Sequence, residues 1–370
     1  MDRRTVQVYE RQATEWMTTR HPRSLEDGRL DAFARGVAVG GRVADLGCGP
    51  GWYAEALSDR GLHPVALDAT QAMLSHARPR TAACVQADLA ALPFARATLD
   101  GIWASSCYMH LPLAELPQAL ADAHRCLRPG APLGATLVRL QAISDPPARR
   151  SERCSGEAQR RDSRPPFDRR LFTCHSPERA RELLHAAGFE AIDVQAGRSF
   201  WMWVMARAAR TLPDSLRPGL RLLICGLNPS LYSVDRGIPF ARPGNRFWPA
   251  AREAGLVDRE RDLRRALAAG IGFTDCVKRA TSRADEVRPA EWGAGLARVE
   301  GLVRRYRPGA LCFVGLAGWR RAVDRSARPG WVEGGFAGRP AYLMPSTSGL
   351  NAHSSLSALA EHLRSAARGR

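Results

Sequence analysis

From residue 42 onward the chain alternates short apolar runs with amphipathic stretches. The runs at Arg42–Leu46, 64–67, 82–86, 99–104 and 132–138 are too short for helices and read as buried strands. Between them, 52–60, Gln71–Ala77 and 116–127 repeat apolar residues every three to four positions and predict helices. A polar, arginine-rich segment at 141–170 breaks the pattern, followed by a helix at 177–187 and strands near 190–194 and 201–206. Residues 209–219, with two prolines and little periodicity, read as a linker. A second alternation then begins, with strands at 221–225, 270–273, Ala310–Val314 and Ala341–Met344 and helices at 292–306 and 355–365. Strands alternating with helices predict parallel sheets covered by helices, so we expect two tandem α/β domains, 1–208 and 220–370, joined at 209–219.

Composition narrows the classes. A chain of 370 residues has material for two cores. Its apolar runs fall short of the roughly 18 residues that a membrane span needs. No apolar stretch follows the N-terminal Met-Asp-Arg-Arg, so no secretory signal is expected and the location reads as cytoplasmic. The nine cysteines are scattered without metal spacing, which reads as reduced, packed thiols; no metal, disulfide framework or iron–sulfur cluster is expected.

Charge adds a partner. The formal charge is +17, but 53 of the 54 basic residues are arginine, a skew that GC-rich coding would also produce. Its distribution is more telling: residues 1–210 carry a net +5 and residues 211–370 a net +12. Coding bias should act on both halves alike, so the second half is expected to meet a polyanion, with nucleic acid foremost.

The run Asp45-Leu46-Gly47-Cys48-Gly49-Pro50-Gly51 puts three glycines directly after a strand, a turn that lets a ligand approach backbone N–H groups. The next strand ends in Asp68, placed to accept from ribose hydroxyls, and a third ends near Asp88. Together these motifs resemble the class I S-adenosylmethionine-dependent methyltransferases, over roughly residues 1–208. The resemblance implies a Rossmann-like fold in which Gly47, Gly49 and Gly51 wrap the methionine moiety of S-adenosylmethionine. Asp45 belongs to the same motif, Asp68 would hold the ribose and Asp88 would border the adenine. The methyl acceptor is not legible. Residues 104–110 lack the motifs of DNA-base methyltransferases, Tyr108 and His110 are either acceptor-site or packing residues, and 149–170 is either a cap or a solvated loop. A catalytically silent cofactor- or DNA-binding module is the alternative.

In the second half, three blocks stand in order: Gly226-Leu227-Asn228-Pro229-Ser230, Gly237 through Trp248, and Met344 through Ala352. They present a polar turn, an aromatic loop with basic flanks and a small-residue loop bearing one leucine. Jointly they resemble the mismatch-specific uracil-DNA glycosylases related to thymine-DNA glycosylase. That resemblance implies a three-layer α/β/α sandwich acting on double-stranded DNA with mismatched or damaged bases, without a cofactor. Asn228 would orient the attacking water and Phe240 would stack on the flipped base. Ser233 and Asn245 would belong to the pocket and its support, and Ser348, Gly349 and Leu350 would form the wedge that fills the vacated stack. Asp275 stands where relatives often carry Asn or Lys; it could accept a base N–H, activate water, or pair with an arginine. The base excised stays open among uracil, mismatched thymine, xanthine and hypoxanthine, and a monomer is allowed. The expected whole is a bifunctional enzyme of DNA repair.

Overall fold

A computed structural model describes residues 1–19, 28–140, 157–161, 169–196 and 200–369. The chain divides into two compact units, Met1–Ala209 and Arg210–Arg370. Most of the arginine-rich segment read at 141–170 lies outside the described residues. Among the described residues no helix is long and apolar enough to cross a membrane.

Among the described residues the first unit carries nine strands. Strands β1 (Arg42–Leu46), β2 (His63–Asp68), β3 (Cys84–Gln86), β4 (Gly101–Ala104) and β5 (Pro132–Arg139) run parallel in the order β3-β2-β1-β4-β5. The chain then continues through β6 (Glu157–Arg161), β7 (Leu171–His175), β8 (Phe189–Ala196) and β9 (Trp201–Ala208). Strand β9 pairs antiparallel with both β5 and β8, while β7 joins the last residues of β5 and carries β6. Strands β1 and β4 are buried almost throughout, as expected of a parallel sheet covered on both faces. Leu46, Leu67, Leu99, Ile102 and Leu133 anchor the core.

The second unit carries β10 (Leu222–Gly226), β11 (Ile271–Asp275), β12 (Ala310–Val314), β13 (Gly330–Trp331) and β14 (Ala341–Met344) in the order β11-β10-β12-β14-β13. All pairs are parallel except the edge pair β13·β14. Side chains alternate across this sheet. Leu222 and Ile224 join Phe247, Trp248, Leu359 and Leu363 on one face, whereas Leu223 and Cys225 join Trp292, Val299 and Val303 on the other. Helices Phe247–Glu253 and Leu356–Arg368 cover the first face and helix Pro289–Tyr306 the second, giving three layers.

The segment expected to be a free linker is not one. Leu212, Leu216 and Leu220 are buried, and Ser215 forms a two-way backbone bridge with Phe273 on β11. The buried carboxylate of Asp214 receives Lys278 at 2.8 Å and Arg298 at 2.6 Å. Its prolines and polar residues disguised a strap that belongs to the second unit. The N-terminal helix Arg3–Thr19 was also not foreseen; it is mostly polar and kinked at Gln12, so its apolar stripe is weak.

Candidate functional sites

Each unit places its turn at the same kind of point. Strand β1 lies between β2 and β4, and β10 between β11 and β12, so in each sheet the chain leaves the first strand where the strand order reverses. Ligands of open α/β sheets gather in the crevice at that point.

In the first unit Gly47, Gly49 and Gly51 have φ of 63°, 52° and 85°, the left-handed region that favours glycine. A Cβ on Gly47 would lie 2.4 Å from the Cys107 side chain and one on Gly51 2.9 Å from Ala77, while one on Gly49 would meet nothing within 4 Å. The flanking glycines let the turn close on its neighbours; the middle one leaves open space. Asp68 is drawn into this turn, accepting from Gly49 N–H at 3.0 Å, Thr70 N–H at 2.9 Å and Thr70 Oγ at 2.7 Å.

Beneath the turn Asp45 is 1% exposed, and neither carboxylate oxygen has a hydrogen-bond partner. Burial, and then the neighbouring charge of Asp68, push its pKa up to about 8. An orphaned acid beside an open backbone cradle is suited to a cationic ligand, so the residues fit the sulfonium and ammonium groups of S-adenosylmethionine. Asp88 is exposed and caps the following turn through the Ala90 N–H at 2.8 Å, with the Met1 amine at 2.7 Å.

Tyr108 and His110 are both buried. His110 Nδ1 lies 2.6 Å from the Leu171 carbonyl and Nε2 2.9 Å from the Tyr9 hydroxyl. A carbonyl only accepts, so Nδ1 carries the proton and Tyr9 donates to Nε2.

In the second unit Asn228 follows β10. Its Nδ2 faces Thr281 Oγ at 2.7 Å, the Arg279 carbonyl at 3.1 Å and the Pro229 carbonyl at 3.4 Å. Thr281 Oγ in turn donates to the Arg283 carbonyl at 2.6 Å, so all three partners act as acceptors. The amide NH₂ is thereby fixed toward the protein, and Oδ1 is left to accept from a water molecule. Thr281 was not foreseen, because its link to Asn228 spans 53 positions and leaves no local pattern.

The register pairs Gly226 with Asp275, which brings both onto the Phe240 face of the sheet. A Cβ on Gly226 would sit 2.3 Å from an Asp275 oxygen and 3.5 Å from the Phe240 ring. Phe240 stacks on Phe247 with centroids 4.3 Å apart. Its φ of 57° is strained for a bulky residue. That conformation is held on both sides: Trp248 Nε1 donates to the Pro239 carbonyl at 2.8 Å, and the Ala241 N–H donates to buried Ser233 Oγ at 3.2 Å. Ser233 thus supports the pocket loop, whereas Asn245 caps helix Phe247–Glu253 by accepting from the Phe247 N–H at 2.9 Å.

Burial raises the Asp275 pKa to about 6; Lys278 and Arg298 pull it down, while Asp214 pushes it up. Both cations lie on the opposite face, committed to Asp214, whose pKa they hold below the usual carboxylate value despite its burial. No hydrogen bond to the Asp275 carboxylate is seen among the described residues; Arg298 donates instead to the Asp275 backbone carbonyl. Leu350, 90% exposed, tops the turn Ser348–Asn351, and Gly349 is pressed so close to the Gly244 carbonyl that a Cβ would lie 2.9 Å from it.

Comparison with known proteins finds a family match in each half of the chain. Residues 43–130 match the family described as methyltransferase domain, and residues 213–367 match the uracil DNA glycosylase superfamily. The chain therefore carries a methyltransferase domain followed by a domain of the uracil DNA glycosylase superfamily. Among solved structures, it is similar to an S-adenosylmethionine-dependent methyltransferase from Mesorhizobium loti, at 19% identity over 50% of this chain and 97% of that one, TM-score 0.39. It is also similar to a methyltransferase described as a possible histamine N-methyltransferase from Thermotoga maritima, at 15% identity over 55% and 99%, TM-score 0.41. A third is the 1,6-didemethyltoxoflavin-N1-methyltransferase of Burkholderia thailandensis, at 18% identity over 54% and 84%, TM-score 0.42.

Proposed function

We propose that the chain joins two enzymes: an S-adenosylmethionine-dependent methyltransferase of unknown acceptor, in residues 1–209, and a DNA glycosylase that excises uracil, or another mispaired or damaged base, from double-stranded DNA. The observation that carries the second reading is the fixed amide of Asn228. With Nδ2 tied to Thr281 and Arg279, Oδ1 accepts a hydrogen bond from water and holds its oxygen for attack on C1′. An amide is too weak a base to remove the proton early. The glycosidic bond therefore breaks first, toward an oxocarbenium-like sugar, and the base departs with the bonding pair. Water then adds at C1′ and its surplus proton passes to the departed base anion, leaving an abasic site and the neutral free base. Phe240 stacks on the flipped base, Asp275 meets its polar edge or the water, and Leu350 fills the gap in the stack. The net +12 of residues 211–370 supplies the sign that phosphates need.

In the methyltransferase half, Gly47, Gly49 and Gly51 would cradle the methionine moiety, Asp68 would turn from Gly49 and Thr70 to the ribose hydroxyls, and Asp88 would border the adenine. Asp45 would balance the ligand's positive charge from below. The bound cofactor supplies an electrophilic methyl group on its sulfonium.

The test is mass spectrometry of G·U duplexes, other nucleic acids and small-molecule acceptors incubated with and without S-adenosylmethionine. We expect free uracil and a strand left abasic at that position from the duplex, and a methylated product only with cofactor. Duplexes that stay intact would overturn the glycosylase reading. Cofactor binding without any methylated product would favour the silent module.

A further inference from the structure

Arg246 stands between the loop that carries Phe240 and the loop that carries Leu350. Its backbone N–H donates to the Thr347 carbonyl at 2.9 Å. Its guanidinium donates to the carbonyls of Asn351 and Ser354, and the Ser348 carbonyl lies at 3.5 Å. Two of the four oxygens belong to the turn on which Leu350 is mounted, and the other two, of Thr347 and Ser354, flank it. The turn's other ties are to itself: the Asn351 N–H returns to the Ser348 carbonyl at 2.9 Å and Asn351 Nδ2 to the Ser346 carbonyl at 2.7 Å. Such ties shape a loop without fastening it to the sheet. Arg246, with the close seating of Gly349 on Gly244, does the fastening.

We infer that Arg246 is the positioning residue of the wedge, a cation spent on carbonyls of its own chain and not on a phosphate. The inference rests on the proposed role of Leu350. Two physical consequences follow from the geometry. An apolar side chain displaces a stacked base only if its mount resists the reaction force, and a turn held by one planar fork at several oxygens resists it better than one held by single bonds. The same fork turns carbonyl oxygens inward, away from the DNA backbone that they would repel. Lysine cannot reproduce this, because one ammonium on a flexible stem does not span oxygens of residues 348, 351 and 354 together.

The experiment compares full-length wild type, Arg246→Ala, Arg246→Lys, Leu350→Ala and the Arg246→Ala/Leu350→Ala double variant. Each acts on uracil in a G·U duplex and in the same strand alone. We expect Arg246→Ala to lower the duplex-to-single-strand ratio of kcat/KM about tenfold or more, Arg246→Lys to recover only part of it, and the double variant to fall within about threefold of Leu350→Ala, since neighbours acting through one element are not additive. An unchanged ratio in Arg246→Ala, or losses that multiply in the double variant, would overturn the inference. If thermal melting shows Arg246→Ala unfolded, Arg246→Lys and its double with Leu350→Ala decide by the same ratio. Absence of uracil release by wild type would instead sink the proposed function.

Discussion

The turns at Gly47–Gly51 and at Gly226–Asn228 occupy the same topological position in two sheets and solve opposite problems. The first withdraws side chains at three left-handed glycines, and Asp45, an acid without a hydrogen-bond partner among the described residues, is buried beneath them. The second contributes a side chain: one glycine makes room for the Asp275 carboxylate, and one amide is locked by Thr281. A bulky ligand that must come and go suits the former, and a single water that must be aimed suits the latter. The difference shows that the switch point of an α/β sheet dictates where ligands meet the chain, while the turn's residues dictate what is done there.

Four experiments sharpen this contrast. The largest effect is expected for Asn228→Ala, which removes the aimed carbonyl oxygen; uracil release from a G·U duplex should fall on the order of a thousandfold, by the magnitude that precise positioning contributes. Unchanged release would mean that the turn does not aim the water. Leu350→Ala should cost duplex activity roughly ten- to a hundredfold and cost single-strand activity much less, since only a duplex has a stack to refill; equal losses on both substrates argue against a wedge.

The methyltransferase turn is tested by pH. Below about 8 Asp45 holds a proton, which a cationic ligand must displace, so S-adenosylmethionine affinity should rise between pH 6.5 and 8.5 by about tenfold. Calorimetry on Asp45→Asn should show a flatter profile, the ligand's own amine titrating alike in both proteins. A profile identical to wild type would separate Asp45 from the ligand's charge.

The last experiment concerns stability. The Asp275 pKa is raised in the fold to about 6, so its protonated form stabilises wild type at low pH and that contribution is lost as pH climbs from about 4 to about 6. Asp275→Asn should gain on wild type across that window by roughly 2–3 kcal/mol, read from denaturant unfolding at each pH. A constant difference would place the carboxyl in water.

What could be read from the residues follows from the physics of each part. Strands β1, β10, β12 and β14 were visible to within a residue because a strand buried on both faces is a continuous apolar run. Short helices were read unevenly: the seven-residue Gln71–Ala77 was visible, whereas Leu231–Arg236, Phe247–Glu253 and Leu263–Ala268 were not. Motif residues such as Asn228 and Gly49 were legible, but their orienters were not. Thr281 and Arg246 act through hydrogen bonds to partners that folding brings near, and such partners are ordinary residues in the sequence.

The strap around Asp214 has a practical consequence for dividing the chain. A glycosylase half cut at residue 220, where sequence pattern puts the boundary, would discard the carboxylate that compensates Lys278 and Arg298. Stranding such buried cations typically costs about 3–5 kcal/mol. The nearest remaining acid would be Asp275, across the sheet, and the orphaned cations would pull it toward its ionised form. Trimming ten residues from one face of the sheet would thus retune an acid on the other, so a separable half has to begin ahead of Thr211.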